Sequence, residues 1–247
     1  MNKIDQNPDY RKIYSIACKY FHKSGNFSHG AYDETYFTMR VFSSAKQIMS
    51  ELRKKSQKQD CTFSEQLVLV SCLLHDIGKS RLDRKKLFHP KGNYKNIHLE
   101  WSKHPKLGIS PARRILQNLG HSKEFIDAIC YLVEFHDCRA EKHSLIPKSS
   151  PNLQFLRRGI PLELLVLQDA DILADCGFAG FIRPFLFGGR FRRPVIGSIR
   201  YAKKEMNRVD MPGMLNLSVS RRIAKKKMMF HNDLVGIVNG ELENELL

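Results

Sequence analysis

The sequence predicts an all-α protein, and three observations support this prediction. Apolar residues recur at helical spacing through most of the 247 residues. No segment of useful length alternates apolar and polar residues as a half-buried strand would. Residues typical of helix starts separate the periodic segments, beginning with Asn7-Pro8. We therefore expect helices throughout and no sheet of any size.

The first half of the chain contains three predicted helices. The first begins at Asn7-Pro8, and the second runs from about Ser28 to Leu52. The third starts at a capping box made by Thr62 and Glu65 and continues through the apolar stretch Leu67–Leu74. A helix that is apolar on all sides is normally central, so we expect this one to lie in the core.

The second half is predicted to hold further helices separated by polar or glycine-rich segments. Residues 79–101 are expected to be a polar connection, and residues 138–159 a loop that is the one plausible domain boundary. Helices are expected near residues 105–120, 123–137, 161–175 and 218–243. Glycines and a proline are expected to break residues 177–189 into short pieces.

Composition excludes several classes of protein. The 41 lysines and arginines against 25 acids give a net charge of +16, which predicts an anionic partner such as a nucleotide, a nucleic acid or an anionic membrane surface. No apolar run approaches the roughly 20 residues of a membrane span. The N-terminus is polar, and the six cysteines are scattered without a CxxC pair. We expect a cytoplasmic protein with reduced cysteines and no membrane partner.

His75 and Asp76 form the sharpest chemical feature, because two good metal ligands stand side by side at the end of an apolar helix. A carboxylate is costly there unless a cation or hydrogen bonds compensate it. An imidazole with a carboxylate suits a divalent ion such as Mn, Fe, Co or Zn. A polar pair at an exposed helix end is the alternative interpretation of the doublet alone.

A second group of acids follows an apolar helical run. It comprises Asp169, Asp171 and Asp175, of which the last two lie one helical turn apart. Because apolar residues continue from 177 to 187, we expect these acids to be buried, where a metal ion shared with the His-Asp doublet would satisfy both groups. A solvated helix end is the other interpretation.

The two motifs together resemble those of the HD superfamily of metal-dependent phosphohydrolases, and in particular its small stand-alone bacterial members that act on nucleotides. The segment Leu73–Lys79 matches the core motif. The segment Gln168–Asp171, with Gly177, Gly180 and Arg183, matches the second signature and its spacing. The resemblance implies one HD-type helical bundle over residues 1–247, on which residues 190–247 pack as a basic helical extension.

The resemblance also implies a divalent metal ion (Mn, Fe, Co, Mg or Zn) held by ligands in the order His, His-Asp, Asp. His75, Asp76 and Asp171 match three of these ligands position by position. Asp171 is preferred to Asp169 because the family's ligand is the acid that follows an alanine.

The first ligand of the family has no direct match in this chain. It normally stands three residues before an Arg-Val pair, here Arg40-Val41, where the chain carries Phe37. We expect His29, two helical turns earlier, to replace it through an irregular helix start made by Gly25 and Gly30. A three-ligand site and an inactive site are the alternatives.

Four further residues are implied to contact substrate phosphate or to serve catalysis. His104 and His136 match positions at which family members hold substrate phosphate or a second metal ion, and Lys79 matches a lysine beside the metal. Arg183 matches the arginine of the second signature, where it contacts phosphate or pairs with an acid. Ordinary polar residues at helix ends are the alternative for His104 and His136, and a solvated cation at a helix end is the alternative for Lys79.

One departure from the family pattern affects the expected activity. Ile172-Leu173-Ala174 stands where the family typically has Arg-Leu-Asp, so the substrate is not carried over. The leading hypothesis is a metal-dependent phosphohydrolase that cleaves a nucleotide or related phosphate ester, with Phe37, His75, His136 and Asp171 facing a common pocket.

The basic segment 190–230 supports a second hypothesis from a different class of protein. It contains twelve lysines and arginines against two acids. A degenerate HD domain could use this segment to bind nucleic acid or an acidic protein, and such binding would fall steeply with salt. The sequence leaves the oligomeric state undetermined.

Overall fold

The computed structural model describes residues 8–25, 28–29, 32–56, 63–87, 94–146, 159–190, 193–210 and 214–245. Within these ranges the chain is helical apart from one short antiparallel pair, so the predicted all-α fold is confirmed. The pair joins β1 (Ser28–His29) to β2 (Tyr32–Asp33), with Ser28 opposite Asp33 and His29 opposite Tyr32.

The α-helices of the described ranges are numbered in chain order. They are α1 (Pro8–Ser24), α2 (Glu34–Ser56), α3 (Glu65–Leu74), α4 (Arg84–Leu87), α5 (Tyr94–Trp101), α6 (His104–Asn118), α7 (Lys123–Phe135), α8 (Leu162–Ala174), α9 (Phe178–Arg190), α10 (Val195–Asp210) and α11 (Ser218–Glu245). Short 3-10 helices span Ile77–Arg81 and Ala140–Leu145.

The central helix of the fold is α3, as its all-round apolar sequence predicts. Every residue from Val68 to Leu74 is buried, and α1, α2, α7 and α8 pack against it. Its N-cap is Ser64, whose hydroxyl accepts a hydrogen bond from the Leu67 amide at 3.3 Å. The predicted cap at Thr62 lies outside the described residues.

The second helix begins later than the sequence predicts. Instead of a helix from Ser28, the chain forms the β1–β2 pair and starts α2 at Glu34. The reason is a cap made by Asp33, whose carboxylate accepts a hydrogen bond from the Thr35 amide at 2.9 Å. This later start places Glu34 and Phe37 one turn apart in the first two turns of α2.

Two other predictions from turn-forming residues are wrong. Residues 79–101, expected to be a connection, contain α4 and α5 in their described part. Residues 177–189 are not broken up, because α9 runs continuously through Gly180, Pro184 and Gly188. Gly180 serves close packing rather than helix termination, since a Cβ there would overlap the carbonyl oxygen of Asp175.

The C-terminal helices α10 and α11 pack against α9 and against each other. Val219, Ile223 and Met228 of α11 belong to the main core, whereas Val235 joins Phe181 of α9 in a separate small cluster. Within the described ranges, no helix combines the length and the apolar character needed to cross a membrane. None of the five cysteines in those ranges forms a disulfide.

Candidate metal centre

The predicted site residues meet where several helices end or begin. His75 follows the last residue of α3, His136 follows the last residue of α7, and His104 is the first residue of α6. Asp76 opens the 3-10 helix at 77–81, and Asp171 comes from the last turns of α8. All except Asp171 are almost completely buried, so the site lies inside the fold with one more open side.

Each of the three imidazoles is oriented by the backbone of its own helix end. The Nδ1 atoms of His75, His104 and His136 lie within hydrogen-bond distance of the carbonyl oxygen three residues earlier. The acceptors are the carbonyls of Cys72, Trp101 and Val133, at 2.8, 2.8 and 2.7 Å. A carbonyl oxygen only accepts, so each Nδ1 carries a proton and Nε2 is the atom that faces the site, with a free lone pair whenever the ring is neutral. This is the orientation that a metal-binding histidine requires.

His75, Asp76 and Asp171 form the first cluster of ligand atoms. The Nε2 atom of His75 lies 3.1 Å from Asp76 Oδ2 and 3.6 Å from Asp171 Oδ1. Ligands at about 2.1 Å from one ion are roughly 3.0–3.4 Å apart, so these spacings suit a single divalent ion. His75 Nε2 is buried and makes no well-aligned hydrogen bond within the described residues, as expected for an atom that a cation would satisfy.

Asp76, His104 and His136 form a second cluster on the other oxygen of the same carboxylate. Asp76 Oδ1 lies 3.2 Å from His104 Nε2 and 3.7 Å from His136 Nε2. The two Nε2 atoms are 3.1 Å apart. Because both rings use Nδ1–H on the backbone, two lone pairs face each other there unless a proton or a metal ion lies between them. Burial, followed by the neighbouring histidines, lowers the pKa of His136 and so disfavours the proton.

The residues present therefore fit a metal ion at either cluster, and Asp76 can belong to both. The hard carboxylate oxygens combined with imidazole nitrogens suit Mn, Fe, Co or Zn. Burial opposes the charge of Asp76, but His75 and Lys79 outweigh it and hold the pKa of that carboxyl well below its usual range. The charged carboxylate of Asp76 is thus the form that could bind a metal ion.

Two buried cations flank the ligand carboxylates. Lys79 Nζ donates hydrogen bonds to Asp76 Oδ2 at 2.6 Å and to Glu34 Oε1 at 2.8 Å. Arg139 donates to Asp171 Oδ2 at 2.5 Å and to the carbonyl oxygen of Gln168 at 2.8 Å. These bonds leave Asp171 Oδ1 facing His75 and fix the orientation of both carboxylates.

Asp169 points away from the clusters, which supports the preference for Asp171 as the ligand. Asp169 is completely buried and accepts hydrogen bonds from the amides of Asn216 and Leu217 at 2.7 and 2.9 Å. It therefore ties α8 to the residues that precede α11. Burial raises the pKa of its carboxyl above the ordinary value.

Phe37 lies in the site, as predicted, but its neighbours are cations. Its buried ring is 6.3 Å from the His75 ring, centroid to centroid. The Arg183 guanidinium carbon lies 3.8 Å from the Phe37 ring centroid, and Arg183 Nη1 donates to Asp175 Oδ1 at 2.6 Å. The backbone of His29 is in β1, but its side chain lies outside the described part of the chain, so its predicted role as a ligand stays a prediction.

Sequence reasoning missed three residues of the site. Glu34 is completely buried and contacts Lys79, although as the acid that begins a helix it resembles an ordinary first-turn residue. Arg139 follows α7 in a polar segment that reads as a loop. Trp101, the one tryptophan of the sequence, packs its ring 6.1 Å from that of His104. The sequence signal for Trp101 is that the single tryptophan stands three residues before His104.

The fold and the site define the class of this protein. An apolar helix ends on a His-Asp doublet, and an aspartate from a later helix faces that doublet within an all-α fold. Residues 38–175 match the model of the HD domain family, which is more than half of the chain. The chain belongs to the HD domain family.

Solved structures with the same fold cover nearly the whole chain. One, from an uncultured Thermotogales bacterium and described as a predicted HD superfamily hydrolase, is 19% identical over 95% of this chain and 94% of its own, with a TM-score of 0.55. Bacillus subtilis YpgQ in complex with ADP is 17% identical over 94% of both chains, with a TM-score of 0.56. The Lin1889 protein of Listeria innocua is 16% identical over 95% and 97%, with a TM-score of 0.54. No curated protein sequence matches the chain significantly.

Proposed function

We propose that this protein is a metal-dependent phosphohydrolase that cleaves a nucleotide or a related phosphate ester. The observation that carries the proposal is the convergence of three backbone-oriented imidazole nitrogens on the two oxygens of Asp76. Such a set of ligands is costly to bury without a cation. The ADP held by the similar fold of YpgQ supports a nucleotide as the substrate class.

In this proposal His75, Asp76 and Asp171 hold one divalent ion, and His104 and His136 hold a second ion together with the other oxygen of Asp76. If these two histidines contact substrate phosphate instead, they do so in their protonated form. A divalent ion bound there would polarise a phosphoryl oxygen and make water nucleophilic near neutral pH. His29 stays proposed as a fourth ligand. Arg139 keeps Asp171 in its ligand orientation through their 2.5 Å bond.

Lys79 and Arg183 act on the phosphate itself. Lys79 Nζ lies 2.6 Å from the ligand oxygen of Asp76, so its charge is next to the position of the reacting phosphoryl group. Arg183 lies beyond it, joined through Glu34. Both are fixed before substrate arrives, and preorganised positive charge of this kind stabilises the negative charge that develops in the transition state.

The test combines metal analysis with a screen for phosphate release. The protein is purified without chelator, its metal content is measured, and nucleotides are offered with added Mn²⁺, Co²⁺ or Mg²⁺. We expect bound metal and phosphate release in the wild type, and loss of both in Asp76→Asn. Asp127→Asn is the matched control, because Asp127 pairs with Arg113 on another part of the fold, at 2.7 Å.

Tryptophan fluorescence gives a second readout that does not depend on turnover. Because Trp101 is the only tryptophan and lies against His104, paramagnetic Mn²⁺ or Co²⁺ at the second cluster should quench its emission. Quenching should disappear in Asp76→Asn and persist in Asp127→Asn. A wild-type protein that binds no metal by either measurement would refute the proposal.

A further inference from the structure

Phe37 stands where the family's first ligand is expected, and the structure shows what uses that position instead. The Arg183 guanidinium stacks on the Phe37 ring at 3.8 Å, well within the range of a cation–π contact. Phe37 is 5% exposed, so the contact is shielded from water on the side of the ring. At this sequence position the chain therefore carries a rigid aromatic surface that holds a cation.

Two carboxylates also hold the Arg183 side chain in place. Its Nη1 donates to Asp175 Oδ1 at 2.6 Å, and its Nη2 lies 3.8 Å from Glu34 Oε2. The other oxygen of Glu34 accepts from Lys79 at 2.8 Å. Glu34 thus holds both cations on one buried carboxylate, and Lys79 connects this group to Asp76.

Arg183 is also the cation of the site that a soluble ligand can reach most easily. Its side chain is 20% exposed, against 5% for Lys79 and 9% for Arg139. A guanidinium held flat by a ring keeps the direction of its N–H groups, which suits the oxygens of a phosphate.

We infer that Phe37, Glu34 and Arg183 form an anion-binding subsite for phosphate oxygens, in which Phe37 stands at the sequence position of the family's first metal ligand. Arg183 contacts the anion, whereas Phe37 and Glu34 are positioning residues. The inference rests on the proposed function for the choice of phosphate as the anion. It requires that phosphate binds without metal, and that metal binding does not depend on the Phe37 ring.

The experiment titrates inorganic phosphate into the protein in the presence of chelator by calorimetry, and separately titrates Mn²⁺ by Trp101 fluorescence. Phe37→Leu removes the ring at similar volume, and Phe37→Tyr keeps an aromatic face. We expect Phe37→Leu to weaken phosphate binding about 3- to 30-fold, and Phe37→Tyr to change it less than about 3-fold. Mn²⁺ affinity should stay the same in both variants.

Substitutions of the arginine separate its role from general damage to the fold. Arg183→Lys keeps the charge but loses the planar group, and it should weaken phosphate at least about tenfold. Arg113→Lys, on the remote pair with Asp127, is the control and should bind phosphate like the wild type. Phe37→His should weaken phosphate binding, because the phenyl face is lost, and should make Mn²⁺ binding about tenfold tighter, because an imidazole ligand is added.

The failures of the inference and of the proposed function can be told apart. A wild type that binds no phosphate in chelator, or a Phe37→Leu variant that loses phosphate and Mn²⁺ in parallel, would overturn the subsite. Turnover that leaves KM unchanged in Phe37→Leu would do the same. Phosphate binding that depends on Arg183, in a protein that hydrolyses no nucleotide, would leave the subsite standing and refute the enzyme.

Discussion

Asp169 and Asp171 are two residues apart on α8, and the structure gives them separate tasks. Asp169 accepts hydrogen bonds from the backbone that leads into α11, whereas Asp171 faces His75. We expect Asp169→Ala to lower the free energy of unfolding by about 3 kcal/mol, because two buried amides lose their acceptor. Urea denaturation of the metal-free protein measures this change.

Substitution of Asp171 should affect metal binding, whereas substitution of Asp169 should affect stability. Asp171→Ala should weaken Mn²⁺ binding by at least about tenfold, whereas Asp169→Ala, if the protein folds, should bind Mn²⁺ like the wild type. The Trp101 fluorescence titration compares the two directly. Equal losses of metal affinity in both variants would show that the two acids share one role.

His75 predicts how metal binding depends on pH. Burial opposes its charge, but Asp76 and Asp171 outweigh burial and raise the pKa of His75 to about 10 in the metal-free protein. A metal ligand must be neutral, so binding displaces this proton. We expect Mn²⁺ affinity to rise about tenfold per pH unit from pH 7 to 8.5, with about one proton released per ion.

The same shift has a defined sign for stability. The folded pKa lies above the ordinary value of about 6.5, so the stabilisation from protonated His75 is complete below that pH and is lost as pH rises through about 10. Calorimetry in buffers of different ionisation enthalpy counts the released protons. Binding without proton release would show that His75 is neutral before the ion arrives.

At the scale of elements, the contact between the 3-10 helix at 77–81 and α6 holds the two clusters of candidate metal ligands together. A Cβ at Gly78 would overlap the carbonyl oxygen of His104 and lie 2.5 Å from the amide nitrogen of Gly108. We expect Gly78→Ala to cost about 3 kcal/mol or more, since backbone would have to move. It should also weaken quenching of Trp101 by Mn²⁺.

The control for that substitution is a helical glycine with space around it. A Cβ at Gly236 in α11 would meet no atom of the described residues within 4 Å, so Gly236→Ala should stabilise the protein by about 0.5–1 kcal/mol. Urea denaturation of both variants gives the comparison. Equal stability of Gly78→Ala and the wild type would mean that the close approach is not required.

The elements also show which parts of the structure the sequence could predict. Helices with a strong apolar period and a local cap, such as α3 and α7, are found where expected, because local signals and burial agree. The start of α2 and the continuity of α9 were missed. In those places a side-chain cap at Asp33 and a tight contact at Gly180 decide the outcome, and neither is visible in a one-dimensional pattern.

The residues of the candidate site also divide into those that the sequence can predict and those that it cannot. The sequence could single out His75 and Asp76 from their chemistry, and the resemblance to the HD superfamily selected Asp171 over Asp169; the structure brings these three side chains together. Glu34 and Arg139 could not be predicted, since each acquires its role only when a distant helix supplies its partner.

At the scale of the whole molecule, the net charge of +16 includes exposed basic residues on α2 and α11, two helices that contact each other and form a common surface. Lys46, Arg53 and Lys54 of α2 line a cavity of about 360 Å³. Lys54 Nζ donates to Glu51 Oε1 at 2.6 Å and, with a smaller effect of Arg222 and Lys226 of α11, lowers the pKa of the Glu51 carboxyl. Of the predicted basic segment, Arg192 lies outside the described residues.

This surface predicts weak binding to nucleic acid that is separate from hydrolysis. We expect duplex DNA to bind at 50 mM salt and to bind at least about tenfold more weakly at 200 mM, as counterion release requires. The double reversal Arg222→Glu with Lys226→Glu should abolish DNA binding and leave phosphate release intact. Asp171→Ala should abolish phosphate release and leave DNA binding intact. Fluorescence anisotropy with labelled DNA measures it. Tight binding at 200 mM salt by a protein without metal or turnover would favour the degenerate binding module.

Because backbone carbonyls orient the three imidazoles, this orientation can survive substitutions around the site during evolution. Each ring takes its aim from a carbonyl that every residue type supplies, so no single side-chain exchange at the anchoring positions can delete the acceptor. The residues that surround the candidate ligands can therefore be substituted while the three imidazoles keep their orientation. A lineage could exchange a wall residue such as Phe37, and with it the molecule that is recognised, without having to rebuild the centre first.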